Sequence, residues 1–249
     1  MQNLYLVTQN LGGFDMNLFS IDSPFYRAAS EVADVLILLV FWFLGCLPII
    51  TIGASTTAFF YVAGKKVRKE EAYITKDFFK SFKQNFKQSI LITIIFIIIW
   101  VSGILYYQMA QQIVVSGSAE GIERIIPPIS IIYNIEAIVM TIYVFAVLSR
   151  FNMKTKNIFI TSFVLAHRHL MTTLAILGTI CISYLLMLFI PVCMFLFPIS
   201  VVFVSSFFLQ KIFKRYVDIK DNSLDETDNN KADNSEESND IEPDKNDEI

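Results

Sequence analysis

The residues whose types and spacing could do chemistry are few and far apart. Glu136 is the sole carboxylate well inside an apolar run, and Asn134 stands two residues before it. A charge at the middle of a bilayer costs about 2.5–3.5 kcal/mol on insertion scales. Glu136 is therefore expected to be protonated or to face a polar partner inside a helix bundle. Thr51, Ser55 and Thr56, in the run TIGASTTA (Thr51–Ala58), are the candidate partners. That set fits either a polar contact between helices or a broken span that lines a path for an ion or substrate. His167 and His169 flank Arg168 with no Asp, Glu or Cys nearby, so no metal site is expected there. The cysteines, Cys46, Cys181 and Cys193, are odd in number and show no CxxC spacing, which reads as small buried hydrophobes. The chain has no Gly-rich phosphate loop, no nucleophile elbow and no grouped titratable residues. No catalytic residue, metal or cofactor is expected, and the chain is not read as an enzyme.

A second set of residues has a helical period. In YITKDFFKSFKQNFKQ (Tyr73–Gln88), Ile74, Phe78, Phe82 and Phe86 recur every fourth residue, and Phe79 widens the stripe. Lys76, Lys80, Lys83 and Lys87 recur on another face. This predicts an amphipathic helix over 73–88. Lying in the membrane interface, it would set its rings in the headgroup boundary and its lysines on anionic lipid. Its functional use would be the docking of a cytoplasmic partner. A nucleic-acid site is not read here.

The elements that must position these residues follow from composition. Of 249 residues, 54% are hydrophobic and 17% charged, where soluble globules carry about 25% charged. The net charge of −3 joins two unlike parts. Residues 218–249 hold 13 Asp/Glu and 3 Lys/Arg, whereas residues 1–217 hold 10 Asp/Glu and 17 Lys/Arg. These proportions exclude a soluble enzyme domain, a disulfide-rich secreted domain and a wholly disordered chain. No cleavable signal peptide is read at the N-terminus. A spanning helix needs about 20 apolar residues. Spans are predicted at 89–110, 125–149, 170–190 and 192–210, the last two joined by a tight hairpin at Pro191. The first apolar block, 22–64, is long for one span and short for two. Pro48 and Gly53 break it near 48–53, and its second piece either continues the first or turns back. The expected fold is an all-α polytopic membrane helix bundle over 1–217, with about five spans, followed by a disordered acidic tail over 218–249.

Orientation follows from the basic loops. Segments 65–88, 149–169 and 211–217 hold 15 of the body's 17 Lys/Arg, which makes them and the C-terminal tail cytoplasmic. With five spans the N-terminus faces outward; with a full hairpin in the first block it faces the cytoplasm.

The stretch Phe19–Gln88 resembles the opening of YesL-like proteins, the family of domain of unknown function 624. The resemblance is carried by Asp22, Pro24, Phe25, Arg27 and Asp34, by Leu47, Pro48, Thr51, Gly53, Ala54 and Ser55 in the break, and by Thr57, Ala58 and Tyr61 after it. Tyr73, Phe78, Phe79, Phe82, Lys83, Asn85 and Phe86 carry it through the amphipathic helix. It implies a bacterial multi-pass inner-membrane protein associated with carbohydrate ABC transporters, of unestablished activity and with no catalytic residue to transfer. Beyond the bilayer, the expected partners are transporter components. The alternative is a small oligomeric transporter or channel that uses Glu136 and the broken first span.

Overall fold

The computed structural model describes residues 24–117 and 124–237. Among them lie seven α-helices and no strand: α1 (Pro24–Cys46), α2 (Ile52–Val67), α3 (Ile74–Ser116), α4 (Ile126–Arg150), α5 (Thr155–Arg168), α6 (Leu170–Phe189) and α7 (Leu196–Glu237). Five stretches are long and apolar enough to cross a membrane: Phe25–Cys46, Ile74–Ser116, Ile126–Arg150, Leu170–Phe189 and Cys193–Tyr216. The chain is an all-α bundle with the span pattern that its hydropathy predicts.

The helices form three antiparallel hairpins. In the first, Pro48 ends α1 and a 3₁₀ turn, Ile49–Thr51, reverses the chain. Thr51 Oγ1 lies 2.8 Å from both Gly45 O and Pro48 O, and so supplies a donor to carbonyls that the break frees. α2 then returns along α1, with Trp42 Nε1 donating to Thr56 Oγ1 at 3.3 Å and Lys66 Nζ reaching Asp34 Oδ2 at 2.6 Å. The break falls where the sequence puts it, and the second piece turns back. At 16 residues, α2 is about 24 Å long, shorter than the hydrocarbon layer of about 30 Å. It is the centre of the core: Ala54, Ala58, Phe59, Phe60, Val62 and Ala63 are buried. Small residues let α3 approach it closely. A Cβ at Gly53 would overlap Thr93 Oγ1 and lie 3.0 Å from Ser89 O.

The second hairpin joins α3 and α4. The helix expected at 73–88 and the span expected at 89–110 are one helix of 43 residues, about 64 Å long. No Gly or Pro interrupts residues 74–102, so nothing stops the backbone ladder at the change from polar to apolar. The first half of α3 lines α2, with Lys65 on Asp77 and Thr57 Oγ1 3.4 Å from Ser89 Oγ. The second half pairs with α4, where Ser102 Oγ lies 2.8 Å from Tyr133 OH and Asn134 Nδ2 donates to Gly103 O at 3.4 Å. Here the pair leaves Ile98, Val101, Ile104, Leu105, Ile131 and Ile132 exposed, whereas 142–149 of α4 are all buried.

The segment 149–169, expected as a basic loop, contains α5. Ile158, Ser162, Leu165 and Ala166 are its buried face, at i, i+4, i+7 and i+8. In the third hairpin the turn is a 3₁₀ segment, Pro191–Phe195, and Ser183 Oγ lies 2.8 Å from Ser200 Oγ across it. Tyr143 OH, 3.0 Å from Thr173 Oγ1, ties this hairpin to α4. One expectation is corrected: the acidic segment from 218 does not begin as coil, because α7 runs on to Glu237. A helix already formed adds residues at the propagation cost alone. The rest of the expected tail, 238–249, lies outside the described residues.

Candidate functional site

The intramembrane polar residues do not gather as expected. Thr51 serves the α1–α2 turn, Ser55 is buried beside Gly45, and Thr56 accepts the Trp42 indole N–H. Asn134 donates to Ser130 O at 2.8 Å and faces Gly103 on α3. Glu136 meets none of the three hydroxyl residues in a hydrogen bond. Its Oε2 instead lies 3.9 Å from His167 Nε2, at the end of α5. Its Oε1 is shut off from the surroundings and has no hydrogen-bond partner. The reason is topological. Thr51, Ser55 and Thr56 belong to the contact of α2 with α1, whereas α5 packs on α4 and carries His167 to Glu136. The helical spacing of Ile158, Ser162, Leu165 and Ala166 marks α5 in the sequence, but nothing in it pairs His167 with Glu136.

An apolar cavity of about 670 Å³ lies between the tips of the first and third hairpins. Trp42, Phe60, Phe145, Met187, Phe197 and Val202 are among its walls, and Glu136 is not. Among the described residues no group of three or more His, Cys, Asp or Glu could hold a metal ion.

The Phe and Lys faces of α3 have different fates. Phe78 is 2% exposed. Its ring lies 5.8 Å from Phe41 of α1 and 6.3 Å from Phe82, which lies 5.5 Å from Phe86. The stripe expected at the headgroups is thus partly core, because α1 packs on it: Ile74 and Phe78 are buried, Phe82 and Phe86 half-buried, and Phe79 stays exposed. Lys76, Lys80, Lys83 and Lys87 are exposed, and among the described residues none of the four has an ion pair.

The neighbouring cations are neutralised. Lys65 pairs with Asp77 at 2.8 Å, and that hydrogen bond holds the ammonium above its ordinary value. The same carboxylate accepts Tyr73 N at 3.0 Å, at the start of α3. Lys66 pairs with Asp34 at 2.6 Å and Glu31 at 2.7 Å. Burial pulls its affinity for the proton down, but the two carboxylates outweigh this and leave it raised. Arg68 grips Glu70 through two N–H groups, at 2.6 and 2.8 Å, and this holds the Glu70 carboxyl below its usual range. This ionic clasp closes the open end of the first hairpin onto α3.

No curated protein and no solved structure matches the chain. Residues 35–109 match the family model described as protein of unknown function, DUF624. The match covers the second half of α1, the turn, α2 and most of α3, and therefore the Phe stripe, the lysine stripe and the clasp apart from Glu31 and Asp34. Over this segment the chain is similar to the DUF624 proteins, of which YesL-like is a family name.

Proposed function

We propose that this integral membrane protein is an accessory, partner-binding component of carbohydrate uptake and has no catalytic role of its own. The observation that carries the partner-binding part is the sorting of charge at one end of the bundle. Lys65, Lys66 and Arg68 are matched by carboxylates, whereas the four lysines of α3 stand exposed and, among the described residues, unmatched. A bare cationic stripe beside a span attracts an acidic surface at the membrane face. The link to carbohydrate transporters is supported by the DUF624 resemblance alone. The basic segments support an inner-membrane location with this end in the cytoplasm. Lys66 ties Asp34 to that same end, which supports a cytoplasmic start of α1; Lys211, Lys214 and Arg215 support the same side for the C-terminal part of α7.

Crosslinking in native membranes followed by affinity capture is expected to recover transporter components. Capture is expected to fall when Lys76, Lys80, Lys83 and Lys87 are all changed to Gln. Recovery of no transporter component, together with unchanged uptake in a deletion strain, would overturn the reading. A second reading, a small oligomeric transporter or channel, is favoured by one observation: Glu136 has an ionisable partner within a span. Flux into proteoliposomes that falls with Glu136→Gln would support it.

A further inference from the structure

The Glu136–His167 pair, which the second reading uses only as an ionisable contact, has a further geometry. His167 Nδ1 lies 3.0 Å from Phe163 O. A carbonyl oxygen only accepts, so Nδ1 carries the hydrogen in this contact. In the neutral ring Nε2 is then the basic atom, and it is Nε2 that faces Glu136 Oε2 at 3.9 Å. Phe163 lies against the imidazole at 4.2 Å between ring centres, tilted by 34°, and restricts its rotation. Two acceptors thus oppose each other, a carboxylate oxygen and a ring nitrogen, with no hydrogen between them until one is supplied. The pair sits near the middle of α4, 10 residues past Ile126 and 14 short of Arg150. From Arg150 back to Glu136 is about 21 Å, and from Thr155 on to His167 about 18 Å. α5 therefore needs only to run back along α4 to bring the imidazole to the carboxyl. Its start is held at the basic end by Gln88 Nε2, which donates to Met153 O at 2.7 Å.

We propose that Glu136 and His167 form a binding site for one proton within the membrane-spanning part, with Oε2 and Nε2 as the two atoms that share it. Taking up one proton from water converts a pair of charge −1 into a pair of net charge zero. A neutral pair is the form that hydrocarbon tolerates. The loaded pair draws the end of α5 onto α4. Loss of the proton leaves two acceptors facing each other and loosens that end.

Other charged groups are directed elsewhere. On the α5–α6 junction, Arg168 lies over the Tyr216 ring at 5.7 Å, and His169 faces the same ring at 6.2 Å. On α3, Tyr106 packs edge-on against Tyr133 of α4, and the lysines lie in the other half of the helix. On α2, Lys65 and Lys66 are held in the clasp, and on α7, Arg215 lies near enough to His169 to lower its affinity for the proton. The site does not depend on which partner or flux the protein serves, so its test can fail while either reading of function stands.

The full chain has two histidines, which makes nitrogen resonances assignable. Burial, then Arg168 and Arg215, hold His169 below its ordinary value. With ¹⁵N-histidine and ¹³C-glutamate in lipid bilayers, solid-state NMR from about pH 4 to about pH 9 reads both members of the pair. The His167 Nε2 and Glu136 carboxyl signals are expected to share one protonation step with a common midpoint. Glu136→Gln is expected to move the His167 midpoint by at least about one pH unit, with the His169 signal unchanged as the control for folding. A His167 titration that is unaltered in Glu136→Gln overturns the proposal. If that variant does not fold, midpoints in the unmodified chain that differ, with no common step, overturn it equally.

Discussion

Gly53 and Asp77 mark the two kinds of contact on which the core depends. Gly53 lets α2 sit against α3, where any Cβ would meet Thr93 Oγ1, and Phe145 and Ser89 O are close behind. A valine there must push backbone apart. Gly53→Val is expected to cost about 1–3 kcal/mol, seen as a lower thermal midpoint in detergent; an unchanged midpoint would refute the close approach. Asp77 works by charge. The Lys65 ammonium has its proton affinity raised by the Asp77 hydrogen bond. Its contribution to stability is therefore complete below the ordinary lysine value of 10.5 and is lost as pH rises through the higher folded value. Asp77→Asn is expected to lower the melting temperature at neutral pH and to flatten the alkaline fall. An identical alkaline profile in both chains would show that the pair contributes nothing. Of the individual residues, the sequence exposed Glu136 as an unusual acid but not its partner. His167 shares no local pattern with Glu136, since 30 residues of chain and a hairpin's end separate them.

At the scale of the element, α3 matters most. The change from a Lys/Phe pattern to a purely apolar one at Ser89 reads as a boundary between two helices. A period in side chains, however, sets which face is buried and not where a helix stops; stopping takes a Gly, a Pro or a cap. The sequence 74–102 has neither Gly nor Pro. One rigid helix therefore fixes the Lys65–Asp77 contact and the Ser102–Tyr133 contact in a single register. A single Ala inserted after Gln88 rotates one half against the other by about 100°. It is expected to lower the thermal midpoint clearly, because only one of the two contact sets can be kept. Full stability in the insertion variant would mean that the halves act as separate helices. The same logic explains α5. Its apolar positions have a helical period, but it lies between basic residues and is too short to span, so hydropathy alone assigns it to a loop.

At the scale of the whole molecule, three hairpins open towards one end, where the clasp, the lysine stripe and the exit of α7 are found. Single cysteines at Arg27 and at Lys69, in a cysteine-free background, are expected to react from the same side of the membrane. One at Gly117 is expected to react from the opposite side. Labelling of Arg27 and Lys69 from opposite sides would contradict the antiparallel first hairpin. The acidic segment leaves from the open end as a continuation of α7. Its charged and polar residues have no apolar surface to bury, so removal of 218–249 is expected to leave the thermal midpoint of the body unchanged; a marked fall would show that the segment is part of the fold.

The sequence by itself determined what could be set by transfer energy and local chemistry. Long apolar runs fixed a helical membrane bundle, Pro48 fixed the break in the first run, and Pro191 fixed the last turn. The match to DUF624 over 35–109 agrees with the residues that carry the resemblance. Tertiary structure decided what depends on which helix covers which. It turned α2 back along α1, buried Ile74 and Phe78 of the stripe that an isolated amphipathic helix would have given to lipid, and left the lysines exposed. It also drew Glu136 away from Thr51, Ser55 and Thr56 and gave it His167. Burial in a bilayer is a property of each segment and can be read along the chain. A partner for an intramembrane acid is a property of packing, and it exists only once the helices have chosen their neighbours.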